Sequence, residues 1–177
     1  MGVQQWNTTW GGNDDDIANG VAIDSLNNVY IAGCTESFVP ISSDICLVKY
    51  DSSGVQQWNR TWGGIDLDVG FGIVIDSSDN IYISGWTSSF GAGRFDMCIV
   101  KFSSSGVLHW NKSWGGCHAI QGCAIALDTS DNVYVSGSTG SFGEKKDDIY
   151  LMKCSGSGLK QWNNTWDGGY DDFSYAI

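Results

Sequence analysis

Apolar and polar residues alternate along this chain in short bursts, too brief for helices. Val-Tyr-Ile-Ala at 29–32, Ile-Tyr-Ile-Ser at 81–84 and Val-Tyr-Val-Ser at 133–136 leave few polar residues on either face. The same holds for Ile-Cys-Leu-Val at 45–48, Met-Cys-Ile-Val at 97–100 and Ile-Tyr-Leu-Met at 149–152. Runs of this length predict strands buried on both sides. Between them stand Asp-Ser-Leu-Asn-Asn at 24–28, Asp-Ser-Ser-Asp-Asn at 76–80 and Asp-Thr-Ser-Asp-Asn at 128–132. Their Asp and Asn residues tolerate the left-handed backbone of a tight hairpin.

The bursts recur at a fixed distance. Gly-Val-Gln-Gln-Trp-Asn-Thr-Thr-Trp-Gly-Gly from Gly2 returns from Gly54, then from Gly106 and Gly158 in modified form, always 52 residues on. Trp6, Trp58, Trp110 and Trp162 fall in register, as do Trp10, Trp62, Trp114 and Trp166, and as do Lys49, Lys101 and Lys153. Each period predicts four strands, called a to d; in the second period they span 71–76, 81–87, 96–102 and 107–114. Four antiparallel strands per period, with b and c apolar on both faces, describe a β-propeller blade, which buries each face against a neighbour.

The succession Gly-x-x-x-Trp-Asn-x-Thr-Trp-Gly-Gly, Gly-Val-Ala-Ile-Asp, Asn-Val-Tyr-Ile-Ala-Gly and Asp-Ile-Cys-Leu-Val-Lys-Tyr resembles the SBBP repeat, the seven-bladed β-propeller repeat family. The resemblance covers nearly the whole chain. It implies a propeller from a secreted or surface-exposed archaeal or bacterial protein, and it implies no catalytic residues.

The expected fold is therefore an all-β propeller of three full blades, at about 17–63, 70–115 and 122–166, flanked by a strand d at 3–11 and the start of a strand a at 173–177. Propellers close with 4 to 8 blades. Three cannot close, so the chain reads as a fragment of a longer propeller, or as a protomer whose ring is completed by another copy. Other blades, of the same or another chain, are the expected partners.

Composition narrows the partners further. The formal charge is −11 and the pI about 4.2, which speaks against nucleic acid. No apolar run approaches the ~20 residues of a membrane span, so membrane insertion is not expected. Of the 20 acidic residues only Glu36 and Glu144 are not Asp, and most of the Asp are turn positions copied from repeat to repeat.

In a four-strand blade the d–a and b–c loops share one edge, and the internal copies differ mainly there. Arg94, Phe95, His118, Lys145 and Lys146 lie in these loops and are the candidates for contact with a protein or glycan ligand. Asp14, Asp15 and Asp16 form a metal candidate by their carboxylates. The third repeat has Cys117, His118 and Ala119 in that loop, so a metal in every repeat is not expected, and no cofactor is. Asp44, Asp96 and Asp148 recur just before strand c, where side chains hold local backbone amides. The Lys of strand c is expected to pair with a carboxylate of an adjacent strand.

Asn-x-Ser/Thr occurs at Asn7, Asn59, Asn111 and Asn163, once per strand d, a glycan acceptor in form. Six Cys stand mostly where other copies carry apolar residues. Two pairings are open: Cys34 with Cys46 across the b–c hairpin, and Cys117 with Cys123 within one loop. A metal or Cys-His nucleophile role for His118 lacks ligand spacing.

These readings predict a non-catalytic propeller module of an extracellular or cell-surface protein, binding or adhering through its variable loop edge. Two alternatives stay open. One is a structural fragment that self-associates; the other is part of a propeller enzyme such as a polysaccharide lyase or hydrolase.

Overall fold

The computed structural model describes residues 2–91, 95–115, 124–140 and 147–175. They form β1 (Asp16–Ile23), β2 (Val29–Thr35), β3 (Asp44–Tyr50), β4 (Gln56–Trp62), β5 (Asp68–Ile75), β6 (Ile81–Thr87), β7 (Asp96–Phe102), β8 (Leu108–Trp114), β9 (Ala124–Leu127), β10 (Val133–Thr139), β11 (Asp148–Cys154) and β12 (Lys160–Trp166). The strands make three four-stranded antiparallel sheets, β1 to β4, β5 to β8 and β9 to β12, each in chain order.

Turn chemistry sets the hairpins. Asn27, Asp79 and Asp131 hold φ of 64°, 60° and 57° between the first two strands of each sheet, a backbone that Asn and Asp tolerate. Gly54, Gly106 and Gly158, at φ 84°, 80° and 78°, turn the last two strands. Glycine is needed at Gly54 for a second reason: a Cβ there would stand 2.6 Å from the Trp6 ring. Gly54 is thus a seat for Trp6 of the preceding repeat, as Gly158 is for Trp110, whereas Arg60 covers Gly106.

Alternate side chains of the middle strands point into two cores, one at each sheet-to-sheet junction. In the first, Tyr30, Ala32, Ile45 and Leu47 meet Ile73, Ile81, Ile83, Cys98, Val100 and Phe102. In the second, Tyr82, Met97 and Ile99 meet Ile125, Val133, Val135, Tyr150, Met152 and Cys154. The second sheet is buried on both faces, which is why its middle strands read as continuous apolar runs. Each fully buried Ile or Val contributes about 2 kcal/mol.

The first sheet shows what an uncovered face looks like. Val21 and Ile23 are 62% and 61% exposed, whereas Ile73, at the place of Val21, is 9% exposed. Cys46, Val48 and Tyr50 on the same face stay buried, because Trp6, Thr8 and Trp10 line the groove above them. The Trp6 indole N–H donates to the Ser52 carbonyl at 3.2 Å, as Trp110 donates to Gly156 at 3.3 Å. Residues 3–11, expected as strand d, occupy the place of such a strand yet carry no ladder. In each of the three sheets the last strand pairs with the third strand of the same sheet, and residues 3–11 have no such neighbour among the described residues. Residues 173–175 likewise form no strand; Asp172 N–H donates to the Asp147 carbonyl, as Asp68 N–H does to Ser43.

Candidate functional site

Each sheet presents two edges, and Asp residues dominate both. On the edge made by the tight turns, Asp76 Oδ1 accepts the N–H groups of Ser78 at 3.0 Å and Asn80 at 2.8 Å. The Asn80 amide donates to both Asp76 oxygens, and the Tyr82 hydroxyl donates to Oδ2 at 3.1 Å. Lys101 Nζ stands 3.4 Å from Asp76 and donates to the Gly156 carbonyl of the next sheet at 3.2 Å. Asp24 with Lys49 and Asp128 with Lys153 repeat the arrangement. The expected pairing of the strand-c Lys is observed, and the Lys also ties neighbouring sheets together.

Burial opposes ionisation of Asp24 and Asp76, but the hydrogen bonds outweigh it, first from the Asn28 and Asn80 side chains. Both carboxyls are held below the usual range. At Asp128 the Asn132 side chain leads the same downward shift.

The opposite edge carries the divergent loops. Asp16 Oδ2 accepts the Gly12 N–H at 2.8 Å and the Ser37 hydroxyl at 2.7 Å, while Oδ1 accepts the Thr35 hydroxyl. Asp68 Oδ2 repeats this with Gly64 at 2.8 Å and Ser89 at 2.7 Å. Phe38 packs on Trp10 and Phe90 on Trp62, both at 5.0 Å between ring centroids. These ties are alike in both copies, so the loop bases are a scaffold. Between them runs a groove lined by Ser42, Asp66, Leu67, Ser88 and Phe95. Ser42, a non-glycine residue at φ 73°, forms part of its wall.

Of the five ligand-face candidates, Phe95 lines this groove, half-buried, its ring edge-on to Trp86 at 4.8 Å. Arg94, His118, Lys145 and Lys146 lie outside the described residues, as do Cys117 and Cys123. The metal candidate Asp14 to Asp16 does not converge: Asp14 and Asp15 are exposed, and Asp16 is taken up by the loop tie. The sequons sit on the outer strands, with Asn59 and Asn111 exposed on β4 and β8, Asn163 half-buried on β12, and Asn7 exposed.

The Cys34 to Cys46 disulfide is not formed; both thiols are free and buried. Register explains it. Cys46 pairs with Gly33 and Cys34 with Ile45, so adjacent-residue alternation sends the two side chains to opposite faces of the sheet. Burial pushes the Cys46 thiol up to about 12 and the Cys154 thiol up to about 11, the reverse of what a nucleophile needs.

A second correction concerns Asp44 and Asp148. They do not hold local amides: Asp44 Oδ1 and Asp148 Oδ2 are buried without a hydrogen-bond partner. Asp44 instead faces Asp68 of the next sheet; a Cβ on Gly63 would stand 2.2 Å from Asp44 Oδ1 and 2.7 Å from Asp68 Oδ2. Burial, and then the Asp68 charge, raise the Asp44 carboxyl to about 6. The signal was in the sequence, as the recurrence of an Asp 24 residues on, but only across a repeat boundary.

The family model of the SBBP beta-propeller repeat matches residues 5–37, the stretch running from the docked Trp6 segment through β1 and β2 to Ser37. Residues 5–37 are thus similar to an SBBP beta-propeller repeat. The chain is also similar to the regulatory protein FlaEY of Caulobacter vibrioides, 24% identical over 112 residues. That match takes in 56% of this chain and 12% of FlaEY, so the chain spans about an eighth of that relative. Among solved structures, a protein of unknown function from Bacteroides caccae aligns with a TM-score of 0.56 at 10% identity, over 90% of this chain and 48% of that one. This likeness concerns the fold alone and agrees with the SBBP repeat. An α-L-arabinofuranosidase from Clostridium thermocellum aligns over 84% of this chain and 71% of its own, at 9% identity and a TM-score of 0.36, too low to bear on fold or activity. No helix among the described residues is long and apolar enough to cross a membrane.

Proposed function

We propose that the three sheets are consecutive blades, repeating every 52 residues, of a β-propeller that serves as a non-catalytic binding module of a secreted or cell-surface protein. Its loop edge recognises a protein or glycan ligand. One observation carries this reading: the groove of Ser42, Asp66, Leu67, Ser88 and Phe95 lies on the edge where internal copies diverge, over loop bases that are alike. A rigid base under variable loops is how scaffolds hold recognition surfaces. The non-catalytic part is supported on the turn edge, where Asp24, Asp76 and Asp128 and the Lys and Tyr beside them are employed in turn and junction bonds. Arrays of glycans and of purified extracellular proteins test the reading. Binding is expected to fall at least tenfold in Leu67→Asp, an exposed groove residue whose change leaves the cores intact. A folded chain with no binding on either array, or binding indifferent to Leu67→Asp, overturns it.

A second reading concerns the exposed apolar face of β1. Val21 and Ile23 stand where Ile73 and Ile75 join an inter-blade core, so further blades, from a longer chain or another copy, complete the ring. Light scattering on the isolated chain separates these sources. Oligomers abolished by Val21→Asp/Ile23→Asp mean closure between copies, and a soluble monomer at high concentration rules that form out.

A further inference from the structure

Three carboxylates converge beside the start of β11. Asp148 opens that strand, Asp167 follows β12, and Asp172 lies five residues on; a carboxylate oxygen of each lies within 4.8 Å of the other two. Two of them are set in place by backbone. Asp172 Oδ2 accepts the Gly168 N–H at 2.7 Å, and Asp167 Oδ1 accepts the Gly169 N–H at 2.6 Å.

Asp148 differs from both. It is 1% exposed, and its Oδ2 is buried with no hydrogen-bond partner. A bare carboxylate oxygen in such a place carries a desolvation cost that this fold does not offset. Among the described residues the three salt bridges all go to Asp24, Asp76 and Asp128, on the other edge. The motif is also repeated. Where the first sheet meets the second, Asp68 is 0% exposed with Oδ1 unpartnered, opposite the bare Oδ1 of Asp44. There Gly63 takes the place of Asp167, and at the middle junction the sequence has Gly115 and Ile120 in place of Asp167 and Asp172. The junction after the third sheet is the one with three carboxylates.

We propose that Asp148, Asp167 and Asp172 bind a hard divalent cation of the calcium class, which clips the segment after β12 to the third sheet. The donor set is all oxygen and carries up to three negative charges, without nitrogen or sulfur. Oxygens bound to one calcium ion, at 2.3–2.6 Å each, are at most about 5 Å apart, and the three carboxylates lie within that reach of one another. Asp167 and the residues around it are exposed, so water can supply the remaining ligands of a six- to eight-fold shell.

Terbium, a luminescent stand-in for calcium, provides the direct test. The Trp166 ring and the Asp172 carboxylate both lie within 3.0 Å of the point where a Cβ on Gly168 would stand, so bound terbium has an indole beside it as sensitiser. In chelator-treated protein, terbium luminescence is expected to saturate, to be displaced by calcium, and to weaken at least tenfold in affinity in Asp167→Asn. The exposed Asp15→Asn is expected to leave it unchanged. Calcium is also expected to raise the thermal midpoint over that in chelator, since it binds the folded chain. No calcium-dependent change in midpoint, or luminescence equally strong in Asp167→Asn, overturns the proposal. So does a raised midpoint for Asp148→Asn in chelator when calcium leaves the wild-type chain unaffected, for the carboxylates then share a proton instead of a cation.

Discussion

On the turn edge Asp76 accepts from two backbone amides, an Asn side chain and a Tyr hydroxyl, with Lys101 beside it. On the loop edge Asp44 is half-buried at a sheet junction, where Asp76 is buried, yet it faces another carboxylate and one of its oxygens has no partner. The two residues share type, strand-end position and low exposure. Their environments are opposite, so one is held ionised and the other resists ionisation. Burial alone therefore does not set the role of an Asp here; the neighbours across the junction do.

The same substitution at both edges separates them. Asp76→Asn places an amide N–H₂ among donors, against Asn80 and Lys101, and leaves a Lys that is 11% exposed without its counter-ion. A loss of about 3 kcal/mol is expected, at the low end of what breaking a buried pair costs. Denaturant unfolding at neutral pH measures it. Asp44→Asn removes a charge that the fold disfavours. It is expected to stabilise by about 1 kcal/mol at pH 7 in the presence of chelator, after allowance for partial solvent screening. Equal signs for the two variants would erase the distinction between the edges.

The pH dependence sharpens it. The Asp44 carboxyl is raised from the ordinary 3.8 to about 6, so the folded state binds its proton more tightly than the unfolded state between those values. Its effect is a stability that falls as pH rises from about 4 to about 6. Asp148 is shifted in the same direction, by burial first and then by Asp167 and Asp172. The turn-edge carboxyls Asp24, Asp76 and Asp128 are lowered, so their contribution is full above 3.8 and is lost as pH falls through their depressed values. Stability should peak near pH 4. In Asp44→Asn the decline between pH 4 and 6 becomes shallower while the acid limb is unchanged; an unchanged decline removes Asp44 from the explanation.

What could be read from the sequence follows the same division. The strands, the turn Asp and Asn residues and the Lys of strand c repeat within one period, so comparing copies located them. The turn-edge network is local, running from Asp76 to Asn80 and Tyr82, and sequence proximity reveals such bonds. The sequence around Asp44 points to local backbone amides, whereas its physical neighbour is Asp68 of the next sheet. The Cys34 to Cys46 pairing failed on strand parity, which depends on a register fixed by the length of the b–c loop and not by either Cys. The strands expected at 3–11 and from 173 onward do not form at 3–11 and 173–175, because a ladder requires a partner strand beside it, which a match between copies does not supply.

The smallest expected effect lies on the turn edge itself, in contacts between sheets. The Ser25 N–H and hydroxyl donate to Asp79 Oδ1 and Oδ2 at 3.0 and 2.7 Å, and Ser77 donates to Asp131 at 3.3 and 2.6 Å. These bonds link adjacent sheets as Lys101 does, but they are exposed, and water competes for both partners. Ser25→Ala is expected to cost about 0.5 kcal/mol, in the range of an exposed polar pair. The partner variant Asp79→Asn keeps a residue that tolerates φ 60°, so backbone strain does not enter. A double-mutant cycle of the two should give a coupling of similar size. A coupling that approached the Asp76→Asn loss would mean that the sheets are joined by their surface turns as much as by the buried Asp-Tyr-Lys clusters, and the contrast between satisfied burial and exposed contact on this edge would fail.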